Sequence, residues 1–301
     1  MGHDHSHAGH QHSHGESTKN LGIAFFLNLG FAIIEIIGGL WTNSVAIISD
    51  AVHDFGDAFS IGVSFFLERY SKKKRTVTFT YGYKRFSTLG ALINSIVLLV
   101  GSIFVFMETI PRLFHPVPVN YSGMMWLAVA GLAVNGFAAL RLMKGNSISQ
   151  RAVMLHLLED VLGWLAVLIG SVIIRYTGWY FIDQLLSVGI GVFILTNVCR
   201  NLYTIFRILL QAAPEHMPED KIKAILQEVP NVKDVHDLHV WTLDGERNIA
   251  SAHLIVADDI SRADAIRVKH DAVDRLKEVG IDHLTVEVEF EGEGCYSCPV
   301  E

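Results

Sequence analysis

Cysteine is scarce in this 301-residue chain. Its three residues, Cys199, Cys295 and Cys298, are too few for a disulfide framework, and Cys199 lies inside an apolar stretch. That usage fits a reducing compartment. Charge is sparse too: 18% of residues are Asp, Glu, Lys or Arg against 50% apolar, with a mean hydropathy of +0.35. Such a balance excludes an ordinary soluble protein. No G-x-x-x-x-G-K-[ST] pattern occurs, so the sequence offers no phosphate loop for ATP-driven chemistry. The opening MGHDHSHAGHQHSHG lacks the basic start and apolar core of a signal peptide and is not a uniform histidine tag, so it reads as native sequence.

What charge there is divides unevenly. Residues 211–301 hold 20 acidic and nine basic side chains, a net of −11, whereas residues 1–210 hold 11 and 15, a net of +4. The soluble block has the wrong sign for nucleic acid, which is excluded as a partner. Before it lie six stretches of about 20 mostly apolar residues, enough to cross a lipid bilayer: 21–41, 45–67, 88–110, 123–142, 153–176 and 181–205. Short links such as TNS, HPVPVNYSG, KGNSISQ and TGWY separate them. The link between the second and third carries Arg69, Lys72, Lys73, Lys74, Arg75, Lys84 and Arg85, and that between the fourth and fifth carries Arg141, Lys144 and Arg151. The alternate links hold only Arg112 and Arg175, so the positive-inside rule places both termini in the cytoplasm. Trp41, Trp126 and Trp179 fall near the opposite ends, where amphipathic rings favour the interface.

Three parts result: a His-rich arm over 1–19, a six-span all-α membrane domain over 20–210, and a cytoplasmic α+β domain over 211–301. The tail domain begins at the helix-breaking Pro214-Glu-His-Met-Pro218. Periodicity predicts a helix over 217–229, strands over 232–242 and 247–256 joined by Leu-Asp-Gly-Glu, a helix over 261–279 with Ser261 as N-cap and Gly280 as its stop, and a strand over 284–290. That order implies a small sandwich with its helices on one sheet face.

The second span contains Asp50-Ala-Val-His53-Asp54-Phe-Gly-Asp57, and the fifth contains His156-Leu-Leu-Glu159-Asp160. An ionisable group at membrane depth costs about 2.5–3.5 kcal/mol on insertion scales, so such a gathering needs a function. Residues four apart share a helix face, which pairs His53 with Asp57 and His156 with Asp160. One pair alone reads equally well as a polar contact locking two helices. Two matching pairs on different spans supply the two nitrogens and two oxygens of a tetrahedral Zn²⁺ site, and two imidazoles disfavour Mg²⁺ or Ca²⁺. Cd²⁺ and Co²⁺ stay open as further substrates. Protons compete with metal for deprotonated carboxylates and neutral imidazoles, so one site suffices for proton-for-metal exchange by alternating access. Asp50, Asp54 and Glu159 flank it as proton-relay or supporting groups, with Asp50 on the same face as Asp57. Glu35, Asn28, Asn94 and Asn135 read as packing or supporting polar groups.

These spans, the paired His-x-x-x-Asp elements, the basic link before Tyr81-Gly82-Tyr83-Lys84-Arg85 and the α+β tail together resemble the cation diffusion facilitator family, zinc-transporter branch. The likeness covers essentially the whole chain. It implies a homodimeric Zn²⁺/H⁺ exporter with a ferredoxin-like tail domain, residing in the inner membrane if the source is bacterial. His53 separates the chain from manganese-selective branches, where carboxylate or amide stands at that position. The resemblance also implies a cytoplasmic zinc cluster at His236, His253 and Glu289, with His283, Cys295 and Cys298 as further candidate ligands and Zn²⁺ as a regulatory ligand. This chain has Glu287-Val-Glu289 where some relatives have His-Gln-Asp. Cys295-x-x-Cys298 has chelating spacing, though a redox pair or a free tail would look the same. His3, His5, His7, His10, His12 and His14 form a metal-collecting arm, either independent or completing the cysteine site. His115, His216 and His270 read as ordinary polar residues. The rivals are a membrane receptor or scaffold that binds zinc without moving it, and an intramembrane zinc hydrolase with Glu159 as base, for which a four-ligand site leaves little room for water.

Overall fold

The structure is a computed structural model that describes residues 14–71, 73, 75–142 and 148–293, with the side chains of 14–25, 27, 28, 61, 64, 65, 68, 69, 138, 141, 142 and 148–156 outside that description. Its elements are α1 (His14–Thr42), α2 (Val45–Ser71), α3 (Arg85–Phe114), α4 (Tyr121–Leu142), α5 (Ile148–Thr177), α6 (Phe181–Leu209), α7 (Glu219–Gln227), β1 (Val232–Thr242), β2 (Asn248–Val256), α8 (Arg262–Glu278) and β3 (Ile281–Phe290). They form two units, one comprising residues 1–66 and 93–200, the other 67–92 and 201–301.

The first unit is helical. Even its shortest helix, the 22-residue α4, rises about 33 Å, the thickness of a hydrocarbon core. Among the described residues, Arg85–Phe114, Leu157–Thr177 and Phe181–Leu209 are long and apolar enough to cross a membrane, and Leu29–Thr42 is a shorter apolar helix. The apolar run of α2 is interrupted by Asp50, Asp54 and Asp57. Helix α1 begins at His14, earlier than the hydropathy of 21–41 indicates. Small residues permit close packing. A methyl group built on Gly131 of α4 would stand 2.4 Å from the Trp164 ring of α5, a separation no real contact shows. Trp164 is buried against Val167, Met124 and Ala128 and meets Phe31 of α1 edge-on at 6.1 Å. The start of α2 is held by Asp183 of α6, whose carboxylate accepts from the Ser44 hydroxyl and, at 2.8 Å, from the Val45 amide. An acid at a helix N-terminus satisfies orphan amides and the positive end of the dipole.

In the second unit β1 and β2 pair antiparallel and β2 and β3 pair parallel, in the order β1-β2-β3. Parallel pairing requires a crossover, which α8 supplies. Ser261 caps α8 by accepting from the Asp264 amide at 3.1 Å, and Gly280 follows it at φ +95°. Val268, Ala272 and Leu276, four apart on α8, and Ile222 and Leu226 on α7 cover one sheet face, meeting Val235, Leu238, Val240, Ala250, Ala252, Leu254 and Val256. Strand β3 starts at Ile281, three residues before its alternation becomes visible in the sequence.

Candidate metal centres

Helix α2 presents Asp50, His53, Asp54 and Asp57, and α5 carries His156, Glu159 and Asp160. His53 Nε2 stands 3.6 Å from Asp57 Oδ2, the contact their four-residue spacing predicts. Asp50 and Asp160 are buried, at 6% and 9% exposure. The two helices meet at this level, because Asp50 Oδ1 lies 3.6 Å from where a methyl group on Gly163 of α5 would sit. Glu35 of α1, 1% exposed, joins them: the charged groups acting most strongly on it are the carboxylates of Asp54, Asp50 and Asp160. Glu159 is exposed, so it points away from the buried Asp160. The side chain of His156 lies outside the described residues, so its predicted convergence with Asp160 is not part of this geometry. Buried acids gathered from three helices repel one another unless protons or a cation join them.

The second cluster occupies the sheet face that α7 and α8 leave bare. His236 of β1 pairs in register with His253 of β2, and His253 with Glu287 of β3. The closest contacts run to Glu289, one side-chain step further along β3. His236 Nε2 lies 2.7 Å from Glu289 Oε2, and His253 Nδ1 lies 2.7 Å from Glu289 Oε1. One ligand atom from each of these three residues falls within 4.8 Å of the others, close enough to share an ion. Imidazole nitrogens with a carboxylate oxygen are a donor set suited to Zn²⁺. The other ring nitrogen of His253, Nε2, stands 3.4 Å from both Asp237 Oδ2 and Glu287 Oε2. Carboxylates behind a ligating imidazole fix its tautomer and raise its basicity.

A β-bulge shapes this cluster. Between His236 and His239, β1 takes three steps while β2 takes two, from His253 to Ser251. Asp237 absorbs the extra residue at φ +46°. Its side chain contacts His253 and, at 3.2 Å, His239 Nε2. Sequence reasoning passed over Asp237. The signal was present: Val235, Leu238 and Val240 all face the core, a pattern that strict alternation forbids without an insertion. His283 stands elsewhere. It pairs with Ile249, at the opposite end of β3 from Glu289, and meets Tyr81 edge-on at 6.2 Å, so it does not join the cluster. Cys295, Cys298, His3, His5, His7, His10 and His12, and the side chain of His14, lie outside the described residues.

Comparison with known proteins matches residues 21–210 to the cation efflux transmembrane domain and residues 214–291 to the cytoplasmic domain of cation efflux proteins. A "Cadmium, cobalt and zinc/H(+)-K(+) antiporter" of Bacillus velezensis is 32% identical over 96% of this chain and 92% of its own length. Zinc transporter ZitB of Escherichia coli is 31% identical over 98% of this chain and 96% of its own. Metal cation efflux system protein CzcD of Cupriavidus metallidurans is 30% identical over 94% and 90%. With a helical transmembrane domain, a three-stranded tail domain and likeness along nearly its whole length, the chain belongs to the cation diffusion facilitator family, in its zinc-transporter branch, a family of metal-cation transporters and not of enzymes.

Proposed function

We propose that this protein exports Zn²⁺ from the cytoplasm in exchange for protons, by alternating access at a site built from His53, Asp57, His156 and Asp160, with Cd²⁺ and Co²⁺ as further candidate substrates. The observation that carries this reading is the meeting of α2 and α5 at buried acids: Asp50 beside Gly163, with Asp160 and Asp50 both acting on Glu35. A cluster of that charge is stable when loaded with metal or with protons, which is the competition that exchange requires. Glu35 and Asp54 join Asp50 as candidate proton carriers, whereas the exposed Glu159 is poorly placed for a relay to Asp160.

All six helices span the bilayer in this reading, with both termini cytoplasmic, and the tail domain pairs with that of a second protomer. Zinc at His236, His253 and Glu289, through His253 Nδ1, then serves as the regulatory ligand, with Asp237 and Glu287 behind Nε2. Bound metal would offset the repulsion between two tails of net −11 each. The His-rich arm and the Cys295/Cys298 pair deliver or share metal in the same scheme.

Purified protein in vesicles with an imposed pH gradient tests the reading. Expected are uptake of radioactive ⁶⁵Zn with counterflow of protons, and loss of both in Asp57→Ala and Asp160→Ala. Zinc binding without flux in the wild type would replace the exporter with a receptor.

A further inference from the structure

The link between α2 and α3 belongs to the same structural unit as the tail domain. It is a folded loop. The Lys73 amide donates to Tyr70 O at 3.0 Å, the Thr76 amide to Phe79 O at 3.1 Å, and the Gly82 amide to Phe79 O at 2.9 Å. Gly82 sits at φ +80°, a conformation open to glycine, and Phe79 and Tyr83 pack with ring centres 4.6 Å apart. Arg85 Nε donates to Leu243 O at 3.3 Å, and Tyr81 meets His283, which fixes the loop against the β1–β2 turn and the start of β3.

Between loop and sheet lies a cavity of about 790 Å³, floored by the buried Leu243 and Ile249. Lys73, Arg75, Lys84, Arg247 and His283 line it against a single carboxylate, Asp282, which already accepts from the Asn248 amide at 2.9 Å. Among the described residues none of those lysines and arginines is ion-paired with a carboxylate; Lys73 rests 3.8 Å over the Tyr70 ring. Four cations thus share one concavity, three from the loop and Arg247 from a tail domain of net −11. Concentrated positive charge with an apolar floor attracts an anion that also carries an organic body. The volume exceeds what an inorganic ion fills and falls in the range of small-molecule sites, about 300–1,000 Å³. Lysine and arginine together suit phosphate, as point charge and as planar fork.

We propose that this cavity binds a phosphate ester, held between Lys73, Arg75 and Lys84 of the loop and Arg247 and His283 of the sheet, and supplied by a membrane lipid headgroup or by a soluble metabolite. The ligand bridges the loop that joins α2 to α3 with strands β2 and β3, and so ties the metal-binding domain to that loop. The site uses none of the residues assigned to metal transport, so its failure would leave the exporter reading standing.

The test uses the full chain. Lys84→Gln/Arg247→Gln empties the cavity of two charges, and Arg262→Gln/Lys269→Gln removes the same charge from the exposed face of α8. Retained phosphatidylglycerol is measured by native mass spectrometry after transfer from phosphatidylcholine/phosphatidylglycerol nanodiscs, and radiolabelled glycerol phosphate by equilibrium dialysis. Expected is a loss of about tenfold or more in the cavity variant for at least one probe, as each charge-assisted contact merits. The α8 variant and Arg247→Lys should keep wild-type binding. Loss confined to the lipid identifies a headgroup, and loss of glycerol phosphate identifies a soluble ester. If the cavity and α8 variants bind both probes alike, the proposal is overturned; unchanged zinc affinity of the tail cluster certifies that the cavity variant is folded.

Discussion

Glu289 holds both histidines of the tail cluster at once: one carboxylate oxygen lies 2.7 Å from His236 Nε2 and the other 2.7 Å from His253 Nδ1. Glu289 is 7% exposed and His253 likewise, so neither can exchange its partner for water. Glu289→Gln should lower the zinc affinity of the tail by at least about tenfold, measured by competition with a chromophoric chelator. Without metal it should also cost about 1–3 kcal/mol, because a buried imidazole loses its charged partner. His283→Ala should leave the zinc affinity unchanged, since that ring sits at the other end of β3.

Asp237 combines a left-handed backbone with a carboxylate 3.4 Å from His253 Nε2. The two roles separate by substitution. Asp237→Asn keeps a residue tolerant of that conformation and should weaken zinc binding by about 10–100-fold with little change in thermal stability. Asp237→Gly should likewise bind weakly while folding well. Asp237→Ala should bind weakly and also lose about 1–2 kcal/mol of stability in denaturant titrations.

Gly131 and Trp164 set how closely α4 and α5 approach. Gly131→Val should destabilise the detergent-solubilised protein by about 1–3 kcal/mol, read as a lower thermal midpoint, since the indole ring has no flexible end to move aside. Trp164→Leu in the same chain should restore part of the loss, and failure to do so would place the strain elsewhere.

The amide of Val235 donates to Asp234 Oδ1 at 2.8 Å and holds that carboxyl below its usual range. A lowered native pKa stabilises the folded state above the unfolded value, near 3.9, and the benefit disappears as pH falls through the native value. The stability difference between wild type and Asp234→Asn should therefore be constant from about pH 5 to 7 and close below about pH 4. Paired urea titrations across that range check it. A gap that widens on acidification would reverse the sign and refute the assignment.

Much of this was legible in the sequence where local rules suffice. Strand β1 runs over the residues expected for it, Val232–Thr242, and Ser261 and Gly280 bracket α8 as their chemistry requires. His236, His253 and Glu289, the set that the family resemblance implies, come together on one sheet face. Illegible were facts that depend on which strands lie side by side. The parallel pairing of β2 with β3 carries His283 away from the cluster, and no periodicity within β3 discloses that. Likewise the apolar run around Glu35 reveals a buried acid but not that Asp50, Asp54 and Asp160 surround it, because neighbouring helices supply them. The bulge at Asp237 lay between these cases, visible in the spacing of Val235 and Leu238 and easily overlooked.

Because one surplus residue in β1 shifts every later side chain by half a period, the inventory of groups on the uncovered side of the sheet is set by counting. Deleting Asp237 would let β1 and β2 take equal steps between the His236–His253 and His239–Ser251 pairs, so His239 and Val240 would keep their faces while the carboxylate behind His253 Nε2 would be lost. Length polymorphism at that one spot would therefore add or withdraw a single acid from the surface, while the hydrogen-bond ladder on either side kept its partners.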